Sequence, residues 1–341
     1  MRKWLVFFCV FFIFLSVITY FLTKPNESIV ESTSSLIHLD ESTENLKDEF
    51  EMFDEVQSGQ SISMYRPEID EVVQIDFYDY LRGVVASEMP ADFSYSAVQA
   101  QAVVARTYFY EKKMAGHDYN CDICSSANHC QAYMSKDEIF KSWRLSKGWN
   151  EDEINYYWNK INSAVVSTDG IVITYNDEII KAFFHASSPI RTEDAKEVWG
   201  KEHFPYLVSV ESVESEDYKN RYSTLEVEKE YFKDKVRQEL NENFELGDGV
   251  LAVNSYTDSS RVRDTIINGY IISSENLRKL FGLKSTLFTI TQNDNSFVFH
   301  VTGYGHGVGM SQVGADYLGK NGKTFEEIIK HYYTGVELKK I

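Results

Sequence analysis

The chain has 341 residues, of which 43% are hydrophobic, and a formal net charge of −18. This length allows one large domain or two modest ones, with a substantial core. The negative charge argues against nucleic acid as a partner, because the phosphates would be repelled.

The first predicted element is a transmembrane helix. Residues 4–22 contain no charged side chain, and a run of this length can cross about 30 Å of hydrocarbon. Arg2 and Lys3 precede the run and acids follow it, so the positive-inside bias places the rest of the chain outside the cytoplasm. A cleaved signal peptide is the alternative, but no Ala-x-Ala site follows. We predict a cytoplasmic stub and single-pass membrane anchor over residues 1–25.

The next segment, residues 26–64, has the composition of a linker. Between Pro25 and Gln60 there are ten acids against one lysine, Lys47, and no helical or strand periodicity. Such a segment cannot bury enough apolar surface to fold. We predict an acidic, disordered tether.

The first elements after the tether are a strand over residues 72–77 and a short helix that Pro90 ends. Glu88 falls at the C-terminal end of this helix, where the helix dipole and any burial raise a carboxyl pKa. A second helix, over residues 97–114 with Ser96 and Gln99 as a capping box, has a buried pattern. Arg106 interrupts that pattern, and such a cation either pairs with a carboxylate or faces a cleft.

Cysteine and histidine residues follow the second helix. Cys121, Cys124 and Cys130 are an odd number, which fits a complete disulfide set poorly. With His117 and His129 they offer the ligand types that zinc favours. The spacing predicts a metal site, and a disulfide between two of the cysteines is the alternative.

The rest of the chain alternates between helices and strands. Helical patterns cover residues 136–167, 226–243, 274–281 and 325–332. A hairpin turns at Asn176 and Asp177, and short strands dominate residues 250–301. The fold class is therefore α+β, with helices grouped early and antiparallel strands late.

A glycine-rich loop precedes a further helix over residues 310–318, for which Ser311 is the predicted cap. Four glycines alternate with Tyr304, His306 and Val308, a pattern that predicts a tight, exposed backbone surface. His306 and Gln312 at its rim favour a loop that faces a ligand, and a loop that only turns a corner is the alternative.

Three stretches together resemble the SpoIID/LytB family of spore-forming bacteria, and clostridial members in particular. They are "YLRGVVASEMP" with "AVQAQAVVARTY", "LRKLFGLKSTLF", and "GYGHGVGMSQVGA" with "YYTGVEL". The similarity covers residues 65–341, which it identifies as one catalytic domain around a glycan-binding groove. Family members are single-pass membrane proteins that act on peptidoglycan during engulfment of the forespore. They are described as lytic transglycosylases, and related members act as amidase enhancers.

The resemblance assigns roles to individual residues. Glu88 matches the catalytic carboxylate, and the substrate-binding positions are Arg106, His185, Ser188, Tyr206, His306 and Gln312. The family's "HSTSGGxT" run is here "HASSPIRTE", so Pro189 and Ile190 replace two glycines. The resemblance also implies peptidoglycan glycan strands and stage II sporulation proteins P and M as partners. It places the protein in the mother-cell membrane, facing the forespore.

The chemistry of Glu88 suits this activity independently of the resemblance. Hydrolytic glycosidases normally use two carboxylates, one of which activates water. A lytic transglycosylase can use one, which protonates the glycosidic oxygen and then takes the proton of the muramic acid 6-hydroxyl. Such a residue must begin protonated, so a raised pKa is required.

Clostridial relatives carry zinc near the catalytic glutamate, held by one histidine and two cysteines six positions apart. Cys124 and Cys130 have this separation, and His117 is the matching nitrogen ligand, with Cys121 and His129 as alternatives. Zinc is expected to shape the site, because anhydro-ring formation needs no activated water. The alternative function is that of a non-catalytic cell-wall-binding protein that enhances an amidase. A zinc hydrolase of wall peptides is a third hypothesis, although a thiolate-rich ligand set is more often structural.

Overall fold

The computed structural model describes residues 50–127, 129–200 and 204–341. Contacts divide the chain into two units, residues 1–51 and 52–341, and the described helices and strands all belong to the second. The predicted membrane anchor lies outside the described residues. Among the residues that are described, no helix is long and apolar enough to cross a membrane.

Four helices form the first half of this unit. They are α1 (Phe77–Glu88), α2 (Tyr95–Ala115), α3 (Lys136–Ser146) and α4 (Glu151–Ser167), and the long, largely buried α2 is central among them. Side-chain caps fix several of the starts. The side chain of Asp76 accepts from the backbone N–H of Tyr78 before α1, and capping boxes begin α3 and α4.

Two details of these helices differ from the sequence prediction. The helix α2 begins at Tyr95, so Ser96 lies inside its first turn and the predicted capping box is absent. Gln99 instead donates to the hydroxyl of Ser167 at 3.1 Å. The single helix predicted over residues 136–167 is divided at Gly148, whose φ of +70° is incompatible with a right-handed helix.

The strands of the larger core form short sheets around these helices. They are β1 (Ser61–Arg66), β2 (Glu71–Asp76), β3 (Ile123–Cys124), β4 (Ile171–Tyr175), β5 (Glu178–Ile179), β6 (Phe184–His185), β7 (Ile190–Arg191), β8 (Glu211–Ser212), β15 (Met310–Ser311) and β16 (Glu337–Lys340). The sheets have the orders β2-β1-β3, β16-β4-β5, β15-β6 and β7-β8. The sequence predicted only one pair of neighbouring strands in these sheets, the β4–β5 hairpin. It turns at Asn176 and Asp177 as predicted.

A second, smaller hydrophobic core lies between residues 227 and 301. Its elements are β9 (Tyr222–Glu228), α6 (Lys229–Glu239), β10 (Ala252–Tyr256), β11 (Val262–Ile267), β12 (Tyr270–Ser273), α7 (Ser274–Phe281), β13 (Phe288–Gln292) and β14 (Ser296–Thr302). Two antiparallel sheets, β13-β14-β9 and β10-β11-β12, enclose the core with the two helices. The remaining helices, α5 (Ala195–Trp199), α8 (Gln312–Lys320) and α9 (Phe325–Tyr332), belong with the larger core.

The structure is therefore mixed α and β, as predicted, but the strands are not all late or all antiparallel. The strand β3 pairs parallel to β1, and β15 pairs parallel to β6. Part of the predicted linker is also ordered: β1 begins at Ser61, and the amide of Asn162 donates to the carbonyl of Phe53 at 2.7 Å. Hydrogen bonds of this kind hold residues from 53 onward against the domain. Amino-acid composition alone cannot predict such contacts.

Candidate active site

Glu88 is the last residue of α1, and its side chain meets a distant segment of the chain. The helix ends because Met89 adopts an extended conformation ahead of Pro90. The carboxylate Oε1 of Glu88 accepts from the backbone N–H of Ala132 at 2.6 Å. Glu88 is partly buried and partly exposed, so one side of the carboxyl is held by the protein while the residue stays accessible.

The electrostatic setting of Glu88 favours its neutral form. Burial raises the pKa of the carboxyl, and only the N–H of Ala132 opposes this effect. In the described part of the chain, no cationic side chain contributes to the shift. The structure thus bears out the raised pKa that the helix-end position suggested, with burial as its cause.

Gln312 supports the same helix end from the other side. Its Nε2 donates to the backbone carbonyl of Glu88 at 2.9 Å and to Oε1 of Gln101 at 3.3 Å. The side chain is only 5% exposed. Gln312 therefore joins α8 to α1 and α2, and its contact with substrate stays a prediction.

A cluster of thiols and imidazoles lies along the loop that carries Ala132. The ligand atoms of His117, Cys124, His129 and Cys130 all lie within 4.8 Å of one another. The closest pairs are 3.3 Å from His117 Nε2 to Cys130 Sγ, and 3.5 Å from His129 Nδ1 to each of the two sulfurs. The predicted ligands come together, and His129 joins them as a fourth.

This geometry fits zinc. Tetrahedral zinc with bonds of about 2.0–2.3 Å places its ligand atoms about 3.3–3.8 Å apart, and three of the four imidazole–thiol distances lie in this range. The hydrogen bond between the two thiols lowers the pKa of Cys124, which favours one of the thiolates that a metal requires, and raises the pKa of Cys130. All three described cysteines are free thiols. Cys121 stands outside the cluster and contacts the other ring nitrogen of His117, Nδ1, at 3.4 Å.

The thiol–imidazole cluster is continuous with the surroundings of Glu88. Cys130 is followed by Gln131, whose amide oxygen accepts from the buried hydroxyl of Tyr80 at 3.3 Å, and then by Ala132, which bonds to Glu88. The position of the cysteine therefore helps to fix the hydrogen bond to the carboxyl two residues later.

The glycine-rich loop packs against residues 183–193 through close backbone approaches. All four of its glycines have positive φ, as the pattern predicted. A Cβ at Gly309 would lie 2.0 Å from the carbonyl oxygen of Phe183, and one at Gly305 would lie 2.7 Å from the Cβ of His185. The prediction that the loop is exposed is wrong for most of it, because Gly303, Gly307 and Gly309 are buried. Glycine serves here to let two segments touch.

His185 lies against His306 of this loop, with ring centroids 5.7 Å apart. His185 is 5% exposed, and its Nδ1 contacts the carbonyl of Val308 at 3.1 Å. Burial, followed by the neighbouring cations Arg278 and Arg261, lowers the pKa of His306 to about 4. The pKa of His185 is also lowered, chiefly by burial. Both imidazoles are neutral near pH 7.

Sequence reasoning missed Glu214, which organises the loop that begins at His185. Its buried carboxylate accepts from the hydroxyls of Ser187 and Ser311 at 2.5 and 2.6 Å and from the N–H of Ser188 at 2.5 Å. Burial nevertheless raises the pKa of Glu214. No sequence motif marks it, because its partners are 26, 27 and 97 residues away.

One of the two residues that replace the family's glycines has a backbone conformation typical of glycine. Ile190 adopts a φ of +80°, a glycine-like conformation that costs a β-branched residue about 1–3 kcal/mol. It sits in β7, which pairs with β8. Ser188 is fully buried, and its hydroxyl donates to the carbonyl of Arg191 at 2.9 Å. Ser188 thus supports the loop, and its role in substrate binding stays a prediction.

Two further predicted substrate contacts are buried in the framework. Arg106 is 1% exposed, and its guanidinium donates to the carbonyls of Val165 and Ile171 at 3.0 and 3.2 Å. Tyr206 is 8% exposed, and its hydroxyl accepts from the N–H of Lys181 at 3.1 Å. The pattern correctly predicted that Arg106 interrupts a buried helix, and its acceptors are backbone carbonyls of α4 and β4.

Comparison with known proteins agrees with the motifs. A family model for SpoIID, described as stage II sporulation protein, matches residues 65–175. The chain is 33% identical over 281 residues to stage II sporulation protein D of Bacillus subtilis, covering 82% of this chain and 78% of that protein. It is 32% identical over 285 residues to the protein of the same name from Bacillus amyloliquefaciens, covering 83% and 79%.

A more distant relative bears a different name. The amidase enhancer of Bacillus subtilis is 25% identical over 309 residues, which cover 76% of this chain and 40% of that protein. The long alignments at over 30% identity decide the family. With its motifs in place and its helix-end carboxyl as expected, the chain belongs to the stage II sporulation protein D family.

Proposed function

We propose that this protein is a membrane-anchored lytic transglycosylase that cuts the bond between N-acetylmuramic acid and N-acetylglucosamine in peptidoglycan during forespore engulfment. The observation that carries this proposal is the carboxyl of Glu88, which is partly buried, has a raised pKa and has no cationic partner in the described part of the chain. These are the properties of a general acid that must hold its proton near neutral pH.

In the proposed reaction, Glu88 acts twice. The oxygen Oε1 is held by Ala132, which leaves Oε2 to deliver a proton to the glycosidic oxygen as the bond to the muramic acid C1 breaks. The resulting carboxylate then takes the proton of the muramic acid 6-hydroxyl as that oxygen bonds to C1. The products are a free 4-hydroxyl and a 1,6-anhydro ring, and Glu88 regains its proton without water being consumed.

The hydrogen bond from Ala132 suits both steps. A single backbone N–H fixes the orientation of the carboxyl and stabilises the carboxylate that forms between the steps. An arginine or lysine in its place would lower the pKa by a larger amount and remove the acid. Hydrolysis with a second carboxylate has less support, because no acidic neighbour contributes to the pKa of Glu88 among the described residues.

We further propose that His117, Cys124 and Cys130 bind zinc, with His129 as the fourth ligand. When bound, zinc would cross-link the loop before Ala132. Four protein ligands leave no open position for water, which argues against a zinc hydrolase of wall peptides. Purified protein should carry about one zinc per chain by elemental analysis, and His129→Ala should weaken its retention.

A non-catalytic amidase enhancer is the second candidate, because one relative carries that name. Glu88 separates the two functions, since an enhancer has no need of a carboxyl with a raised pKa. The proposed location is the mother-cell membrane, with residues 1–25 as the anchor and the domain outside the cytoplasm. Peptidoglycan glycan strands, and stage II sporulation proteins P and M, are the proposed partners.

Mass spectrometry of the products released from purified glycan strands tests the proposal. Anhydro-muramic ends are expected. Reducing ends would show hydrolysis instead, and intact strands, together with stimulation of an added amidase, would favour the enhancer.

A further inference from the structure

The sheet β13-β14-β9 turns one face away from the smaller core. Residues paired across neighbouring strands share a face, and Thr289 pairs with His300, which pairs with Thr224. Two residues along the same strands, Thr302 pairs with Tyr222. These five residues form what we call the hydroxyl face. The opposite face carries the buried Phe288, Phe299 and Val301.

The hydroxyl face forms part of a groove of about 390 Å³ that Tyr256 also lines. None of the residues that line this groove is Asp, Glu, Lys or Arg, although a quarter of the chain is charged. Protein surfaces normally intersperse charges of both signs. A surface with hydroxyls and an imidazole but no charge suits a neutral, hydroxyl-rich ligand.

Two tyrosine rings at the groove are presented to solvent. Tyr222 is 65% exposed and Tyr256 is 57% exposed. The guanidinium of Arg221 lies 5.6 Å from the centre of the Tyr222 ring, and its Nε donates to the Tyr222 hydroxyl at 3.2 Å. These contacts hold the ring in place while most of its surface remains open. An ordered, exposed aromatic ring with a polar edge is suited to binding sites that combine apolar and polar contacts.

We propose that this groove binds the neutral N-acetylglucosamine units of a glycan strand, away from the bond that is cut. The tyrosine rings would cover the C–H faces of the sugars, and the threonine hydroxyls and His300 would donate to and accept from sugar hydroxyl and acetamido groups. The inference rests on the proposed function for its choice of polymer, and it adds a binding site that none of the predicted site residues occupies.

The chain connects this groove directly to the candidate active site. The strand β14 ends at Thr302, the glycine-rich loop follows, and Gln312 then bonds to the carbonyl of Glu88. Ten residues separate Thr302 from Gln312, so their Cα atoms lie at most about 35 Å apart. A groove at this position can hold a strand beyond the reacting sugars, which would make cleavage depend on strand length.

The test measures binding of a neutral β-1,4-linked N-acetylglucosamine hexamer and trimer by titration calorimetry. All proteins are full chains in a Glu88→Gln background, so that no cleavage occurs. The variants are Tyr222→Ala, Tyr256→Ala and both together. Tyr231→Ala is the matched control, because Tyr231 is 52% exposed and lies in α6, outside the groove. Equal melting temperatures would establish that the variants are folded.

Each groove variant should weaken hexamer binding about 2- to 10-fold, as expected for the loss of one aromatic contact. Trimer binding by these variants, and hexamer binding by the Tyr231→Ala control, should change less than 2-fold. Hexamer affinity equal to that of the parent in the double variant would overturn the proposal. The proposal would also be overturned if the groove variants lost binding to another protein while their hexamer affinity stayed unchanged, because the groove would then be a protein interface.

The outcome is independent of the catalytic assignment. If Glu88→Gln still forms anhydro products at the unmodified rate, the transglycosylase mechanism fails, while weaker hexamer binding in the tyrosine variants still supports the groove. If Glu88→Gln is inactive but the tyrosine variants bind normally, the groove alone is rejected.

Discussion

Substitution of Glu88 by glutamine removes one proton from the proposed mechanism and changes little else. The amide oxygen of glutamine can accept from Ala132 N, as Oε1 does now at 2.6 Å, so the position of the side chain is kept. Loss of general acid–base catalysis costs about 10²–10⁴ in rate. Because Glu88 acts in both steps, we expect the upper end of this range.

Shortening the side chain of residue 88 provides a second test of the mechanism. In Glu88→Asp the carboxyl retracts by more than about 1 Å, enough to cost on the order of 10²-fold in rate, and it loses its contact with Ala132. Both variants are assayed on purified glycan strands by counting anhydro ends with mass spectrometry, with binding measured separately. Wild-type rates in Glu88→Gln would show that the proton donor lies elsewhere and would refute the mechanism.

The same substitution has an effect on stability with a defined sign. The pKa of Glu88 is raised in the folded protein, so the protonated residue contributes stability that is fully present below the unfolded value of 4.5 and is lost as the pH rises through the folded pKa. Glu88→Gln should therefore gain stability relative to the wild type above that pKa, and the difference should vanish in acid. A constant difference from pH 4 to pH 8 in denaturant titrations would contradict the raised pKa.

Other substitutions test the surroundings of Glu88. Cys124→Ser and Cys130→Ser should each lose zinc by elemental analysis while Cys121→Ser retains it, and zinc kept in the first two would reject the ligand assignment. Gly309→Ala should destabilise the fold by at least about 3 kcal/mol in denaturant titration, because it combines a positive φ with a backbone clash; a smaller loss would mean that the loop can move away. Arg106→Ala should cost about 2–5 kcal/mol by leaving buried carbonyls unpaired without lowering the rate per folded molecule, and a selective rate loss would restore its predicted role at the substrate.

Features set by neighbouring residues could be predicted from the sequence. The end of α1 follows from Pro90, and the helices at 274–281 and 325–332 begin and end at the predicted residues. The turn at Asn176 and Asp177 also needs no information beyond the local sequence, because these residue types tolerate positive φ. Family motifs located Glu88 itself.

Features that depend on distant residues could not be predicted in this way. The donor to Glu88 is 44 residues away, and Glu214 is defined by contacts up to 97 residues away. The glycine pattern correctly predicted unusual backbone angles but not burial, because the same lack of a Cβ serves an open turn and a close contact between segments. Arg106 shows the same limit: its pattern revealed a buried cation, and only the packing revealed its acceptors.

The hydrogen bonds of Glu88 would allow it to be both fixed and reactive in the proposed mechanism. Its carboxyl is fixed by the N–H of Ala132 and its carbonyl by the amide of Gln312, and both donors are neutral. A guanidinium would hold the carboxyl more firmly, but it would also stabilise the anion and lower the pKa. Arg106, a cation of the second helix motif, is instead bound to the carbonyls of Val165 in α4 and Ile171 in β4. Among the described residues no cation contributes to the pKa of Glu88, and the acid is positioned by amides alone, which preserves the raised pKa that the proposed first step requires.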